Sequence, residues 1–176
     1  MMNNLLSVII PVYNGAQYLA ESINSVLQQT KTPDSILVVD DGSTDDTAAV
    51  VAAFGSAVHY LHQPNAGAAA ARNRGVAAST GEFLAFLDAD DLWLPEKLAL
   101  QMAVMASTPA IDMVFDHLQQ FVSPDLPHDL RTGLHCPPAS VPGYLPSTLL
   151  IRRAAWVRAG ALDASWRVGE FIHWYL

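Results

Sequence analysis

Along the first hundred residues, unbroken apolar runs alternate with apolar positions set at helical spacing. Leu5 to Val12 (LLSVIIPV) is a nearly continuous run rich in branched side chains, as in a strand buried on both faces. Asn14-Gly15 breaks it. From Ala16 to Gln29 the residues Leu19, Ile23, Val26 and Leu27 predict an amphipathic helix. A second strand, Ser35 to Val39, ends at Asp40-Asp41-Gly42. The helix after it runs through Val50, Val51 and Phe54 to Gly55. Ser43 is its expected N-cap, and Asp45 and Asp46 fall in its first turn, where the macrodipole favours acids. Ala57 to Leu61 predicts a third strand, Gly67 to Ser79 an alanine-rich helix and Glu82 to Leu87 a fourth strand. Pro95 opens a further helix at the position where proline fits best.

Strand and helix thus alternate four times, the order of a mostly parallel sheet with helices on both faces. The second half is less regular. Met113 to Val122 predicts a strand, and Ser123 to Tyr144, with prolines at 124, 127, 137, 138 and 142, a long surface loop. Ser147 to Ile151 is a short strand, Arg152 to Ala159 a helix stopped by Gly160, and Glu170 starts another helix.

Composition narrows the class. A chain of 176 residues fits one domain with a real core. With 51% hydrophobic and only 15% charged residues it is neither a disordered tail nor a coiled coil. Its net charge of −8 supplies no electrostatic footprint for nucleic acid or an anionic membrane. No apolar run approaches the roughly 20 residues of a membrane span, and Met1-Met2-Asn3-Asn4 lacks the basic start of a signal peptide. The lone Cys136 cannot form an internal disulfide. The expectation is a single cytoplasmic domain.

The acids cluster at strand ends: Asp40, Asp41, Asp45 and Asp46 after the second strand, Asp88, Asp90 and Asp91 after the fourth. Ligands of open parallel sheets bind outside those carboxyl ends. Two carboxylate groups facing one cleft repel an anion unless a hard divalent ion joins them. Mg²⁺ is commonly held by one or two carboxylates plus substrate phosphate oxygens. An Asp-x-Asp at a strand end suits that task, although a solvated turn is the commoner use of the tripeptide. Asp41 as a carboxylate only accepts hydrogen bonds, so toward a base it favours a ring N–H, as in uracil, thymine or guanine. Alternatively Asp40 or Asp41 caps the helix near Ser43. Tyr13, in Pro11-Val12-Tyr13-Asn14, offers a flat face for stacking. In Asn65-Ala66-Gly67 and the alanines after it, small residues permit close backbone approach and free N–H groups favour an anion. Arg72 then reaches a phosphate or the base, or is merely solvated.

Together, SVIIPVYN, VVDDGSTDDT, NAGAAAARNRG and GEFLAFLDADDLWLPEKL closely resemble the nucleotide-diphospho-sugar-binding half of family 2 glycosyltransferases, of GT-A fold. The resemblance is strong from Ser7 to about Leu98. It implies a Rossmann-like α/β sandwich, with residues 5–98 as the nucleotide-sugar half and 99–176 as a partial acceptor-side half of one domain. It further implies an inverting transferase using Mg²⁺ or Mn²⁺ and a nucleotide-diphosphate sugar, UDP-sugar favoured and GDP- or dTDP-sugar possible. The acceptor is a hydroxyl of a glycan, lipid or protein. Matched by motif, Pro11, Tyr13 and Asp41 contact the base and Arg72 the base or diphosphate. Asp88 holds the ribose and Asp90 the metal, with Asn14 and Ala89 counted in the same donor site.

Two features depart from the family. Its Glu-Asp pair is matched by Glu170-Phe171, leaving Glu170 or His173, three apart and so on one helical face, as the base. Trp174 would shape the acceptor pocket. The chain also stops at Leu176 inside a helix, which makes a nucleotide-sugar-binding remnant without a complete acceptor side the alternative reading. A haloacid-dehalogenase-type phosphatase, with Asp88 as nucleophile, fits less well: it places the motif near its first strand and needs a later lysine. Neither a glycine-rich nucleotidyltransferase loop nor the late sheet lysine of a receiver domain is present.

Overall fold

A computed structural model describes residues 5–131, 133–166 and 168–175. The first half follows the apolar pattern closely: β1 (Leu6–Val12), α1 (Ala16–Leu27), β2 (Ser35–Asp40), α2 (Thr47–Ala52), β3 (His59–His62), α3 (Ala68–Ala78), β4 (Phe83–Phe86) and α4 (Lys97–Ser107). The second half contributes β5 (Met113–Phe115), β6 (His117–Leu118), α5 (His128–Arg131), β7 (Val141–Pro142), β8 (Leu149–Arg152), α6 (Arg153–Ala159) and α7 (Glu170–Tyr175).

Six strands form one sheet in the order β3-β2-β1-β4-β8-β5. The first four are parallel, with Val12 opposite Asp40 and Ile9 opposite Phe86. β8 runs antiparallel to both β4 and β5. Strand alternation divides β1 between two cores. Leu6, Val8, Ile10 and Val12 pack with Leu19, Ile23 and Val26 of α1 and Leu98 and Met105 of α4. Ile9 faces the other side, with Ala69, Ala71 and Val76 of α3, Trp156 of α6 and Phe171 of α7. Helices therefore cover both faces. The alanines of α3 let it lie close on β1, and a β-carbon at Gly75 would collide with the Ile9 side chain.

Three expectations change. Met113 to Val122 is not one strand: β5 pairs with β8, whereas β6 pairs with β7 in a separate two-stranded sheet. The break is at Asp116, whose N–H donates to the Thr148 carbonyl and whose carbonyl accepts from Gly143. These bonds turn the chain off the main sheet. Residues 123–144, expected as loop, include α5 and β7. Finally, Ser43 does not cap α2, which starts at Thr47. Ser43 Oγ instead accepts from the Asn14 N–H at 2.8 Å. Asp45, just before α2, accepts from Thr47 and from Ala16 at the start of α1.

Candidate donor site

The sheet order reverses between β1 and β4, since β1 continues outward to β2 while β4 lies on its other side. Such a switch point opens a crevice at the carboxyl ends of the strands. A cleft of about 420 Å³ lies there. Pro11 to Gly15 and Tyr18 line it from β1 and α1, Asp41 from the end of β2, Ala68, Ala71 and Arg72 from α3, and Asp88, Ala89 and Asp90 from the end of β4. All eight residues expected at the donor and metal positions meet in this one cleft. Tyr18 was missed: the first turn of a helix starting four residues after a strand end points back at that end, a signal present in the spacing.

Local structure explains each placement. Asn14 takes a left-handed φ of 51°, and its Oδ1 accepts from the Thr44 N–H at 2.8 Å. Its carbonyl-bearing end thus fastens the turn after β1 to the loop after β2, and Tyr13 is left 54% exposed at the rim. Asp40 turns away from the cleft. Burial opposes its ionisation, but hydrogen bonds from the Tyr60 hydroxyl and the Ser43 N–H outweigh burial and hold the carboxyl below its usual range. The same contact, with burial, pushes Tyr60 up to about 12.

Asp41 caps no helix near Ser43. Its Oδ1 accepts from Gln63 Nε2 at 2.7 Å and the Ala66 N–H at 2.9 Å, and its Oδ2 from the Gly67 N–H at 2.7 Å. The carboxylate draws in the loop ahead of α3. Gly67 adopts φ 94° there, the left-handed region open to glycine. Among the described residues Oδ2 accepts this one hydrogen bond, fewer than a carboxylate oxygen can take.

Arg72 is buried and bridges two carboxylates: Nη2 to Asp88 at 2.6 Å and Nη1 to Glu170 at 2.7 Å. Its Nε is buried with no hydrogen-bond partner among the described residues. Arg72 is therefore not a solvated surface arginine. It ties the start of α7 to the end of β4. Glu170 stands at this junction; His173 does not. The His173 ring is exposed and stacks on Trp166 at 4.6 Å, near Asp163. Phe171 is buried in the core beside α3. Trp174 donates its indole N–H to the Gly160 carbonyl and lies tilted against Trp156, so it packs rather than shaping an acceptor pocket.

The turn after β4 is held from two sides. Ser22 Oγ donates to the Ala89 and Asp91 carbonyls, and the Asp88 N–H donates to Ser147 Oγ. Burial raises the Asp91 carboxyl above its usual range, assisted by Asp88 and Asp90 and opposed by a hydrogen bond with Ser147. The Asp90 side chain is exposed, with no hydrogen bond to the described residues. Among those residues no group of three or more His, Cys, Asp or Glu side chains is arranged to hold a metal alone. The donor set fits a hard divalent ion that takes one carboxylate or two and completes its shell with phosphate oxygens and water. No described helix is long and apolar enough to cross a membrane.

Residues 7–157 match the family described as Glycosyl transferase family 2. The chain belongs to that family. An uncharacterised glycosyltransferase of Rickettsia conorii is 42% identical over 114 residues, 64% of this chain and 18% of that protein. One of Nostoc sp. is 44% identical over 117 residues, covering 64% of this chain and 36% of its own length. The family 2 chain thus spans well under half the length of these relatives. Among solved structures, S. aureus TarS 1–349 in complex with UDP superposes with a TM-score of 0.76 at 23% identity, over 97% of this chain and 53% of that one. A mannosyltransferase of Pyrobaculum calidifontis in complex with GDP-Man and Mn²⁺ gives a TM-score of 0.67 at 23% identity, over 90% and 47%. These similarities establish the GT-A fold. The phosphatase reading falls: besides the family match, the one lysine that follows the Asp-x-Asp, Lys97, is buried away from the cleft.

Proposed function

We propose that the chain forms the donor-binding part of an inverting glycosyltransferase that moves a sugar from a nucleotide diphosphate to an acceptor hydroxyl with the help of Mg²⁺ or Mn²⁺. The supporting observation is the convergence of Tyr13, Asp41, Arg72, Asp88 and Asp90 on one cleft at the switch point. Tyr13 and Pro11 sandwich the base edge of the donor, and the open Oδ2 lone pair of Asp41 accepts its ring N–H. That selects uracil, thymine or guanine, with a UDP-sugar favoured. Asp88 accepts from ribose hydroxyls, and the exposed Asp90 holds the cation. When bound, the ion offsets the charge that grows on the departing diphosphate.

Glu170 is the proposed base, because it is the acid of α7 that pairs with Arg72, a residue lining the cleft. Its carboxylate takes the acceptor proton as the acceptor oxygen bonds to the anomeric carbon. The bond from that carbon to the diphosphate breaks, and the nucleoside diphosphate leaves with both electrons. Arg72 holds Glu170 in place through the Nη1 contact.

The second residue of the family's acidic pair is here Phe171, buried in the core, and that favours a second reading, a module that binds the donor without turning it over. Thermal unfolding and donor hydrolysis test both. UDP or GDP with Mn²⁺ should stabilise the protein, Asp90→Ala should abolish the metal-dependent part, and slow hydrolysis of UDP-sugar should follow. Stabilisation without hydrolysis or transfer would leave the binding module. Equal stabilisation by inorganic phosphate would refute nucleotide recognition.

A further inference from the structure

Beneath the carboxylate turn lies a buried charge that no step above uses. Lys97, on the first turn of α4, is 9% exposed. Its Nζ sits 4.2 Å from the centre of the Trp93 ring, donates to Gln101 Oε1 at 2.7 Å and pairs with Asp116 Oδ2 at 3.6 Å. At that last distance the contact is an ion pair and not a hydrogen bond; Asp116 Oδ2 is itself buried without a hydrogen-bond partner among the described residues.

Each of these partners leads back to the turn. Trp93 donates its indole N–H to the Ser147 carbonyl at 2.8 Å, and Ser147 Oγ accepts from the Asp88 N–H at 3.0 Å. Gln101 Nε2 donates to the Thr148 carbonyl at 2.8 Å. Asp116 is where the chain leaves the main sheet. The ammonium therefore links α4, the tryptophan two residues past the last acid of the turn, and the 147–148 segment on which Asp88 rests. Stability alone is a poor reason for it. A buried ion pair replaced by apolar groups of similar volume is often neutral or stabilising. A desolvated cation over an indole face instead fixes where that ring lies.

We infer that Lys97 is a positioning residue: through Trp93 and Ser147 it holds the Asp88–Asp90 turn in the geometry that receives a metal-bound diphosphate. The role rests on the donor reading above and deepens it. It explains why so large a ring is packed immediately after the acids, and it separates two parts of the cleft. Pro11, Tyr13 and Asp41 hang on β1 and β2 and do not depend on Lys97. Asp90 does.

The test uses Lys97→Met, which keeps the volume, and the double variant Lys97→Met/Asp116→Asn, which removes both charges and leaves no unpaired acid. UDP affinity is measured by calorimetry with Mn²⁺ and with chelator, and unfolding is followed in the same samples. Both variants should lose roughly ten- to a hundredfold in the Mn²⁺-dependent affinity, the range found when an outer partner of a metal site is removed. Affinity in chelator should fall by a much smaller factor, because Pro11, Tyr13 and Asp41 keep their places and only the ribose contact of Asp88 is disturbed. In the double variant folding stability should return to that of the parent while the affinity loss remains. Recovery of the Mn²⁺-dependent affinity together with stability would overturn the positioning role and leave a charge-balance role only. Equal losses with and without Mn²⁺ would overturn it as well. A parent protein whose UDP affinity ignores Mn²⁺ would instead strike down the donor reading on which the role rests, so the two failures are distinguishable.

Discussion

Glu170 and His173 are equivalent by spacing and opposite by environment. One sits against Arg72 at the cleft; the other stacks on Trp166 in the open. Glu170→Gln keeps the size and the contact with Arg72 but removes the proposed proton acceptor. It should leave UDP affinity within twofold and lower transfer about a hundredfold or more, the usual contribution of a general base. His173→Asn should change neither. Calorimetry and a coupled assay for released UDP check both, and loss of transfer in the His173 variant alone would reverse the assignment. The identity of the acids near the cleft was legible because they fall at strand ends. What they bind was not. Asp41 shares its oxygens with Gln63, Ala66 and Gly67 across 22 to 26 residues. Arg72 and Glu170 are 98 residues apart in sequence. No local pattern contains such a pair.

At the scale of elements, β1 to α4 follow from the chain's own periodicity, because strands buried on both faces need unbroken apolar runs. The helix ends were less legible. Ser43 has the right type for an N-cap, yet the turn after β1 claims its hydroxyl through Asn14. The composition of α3 has a packing reason as well. A side chain at Gly75 has no room, since its β-carbon would overlap Ile9 and come within 3.2 Å of Val39 Cγ2. Gly75→Ala gains about 1 kcal/mol of helix propensity, against overpacking that typically costs about 1–3 kcal/mol. The net effect should be destabilising, read as a lower urea midpoint with unchanged slope. A higher midpoint would mean that α3 can move off β1. Antiparallel β8 was not legible in direction: a short apolar strand looks the same either way, and only its entry from Pro146–Thr148 beside β4 sets it.

Across the whole molecule, residues from the second half complete the sheet and the core of the first. Leu150 packs with Val8, and Ser147 supports Asp88. The buried Lys97 joins the two halves, and it carries a pH signature. Burial is the main influence on it; attraction to Asp116 opposes burial, and the ammonium is lowered to about 8 from 10.5. Between those values the unfolded chain binds more protons than the folded one, so stability rises with pH from about 8 toward 10. Tyr60, pushed up to about 12 from 10, has the opposite sign, and its share falls away above pH 10. Asp116 is raised by burial against the pull of Lys97 and His117. Urea unfolding at pH 7.5, 8.5 and 9.5 should show the rise, and Lys97→Met/Asp116→Asn should flatten it. A parent curve already flat would mean that Lys97 keeps its ordinary affinity for protons.

The amino-acid order alone determined the alternating α/β architecture and the placing of acids, tyrosine and small residues at one edge of the sheet. These depend on periodicity and on neighbours a few residues away. Tertiary structure decided which carboxylate meets Arg72, which helix face turns inward, and that a lysine is buried near the turn after β4. Each of those choices is a contest between partners far apart in the chain, settled only when packing brings them within hydrogen-bond reach.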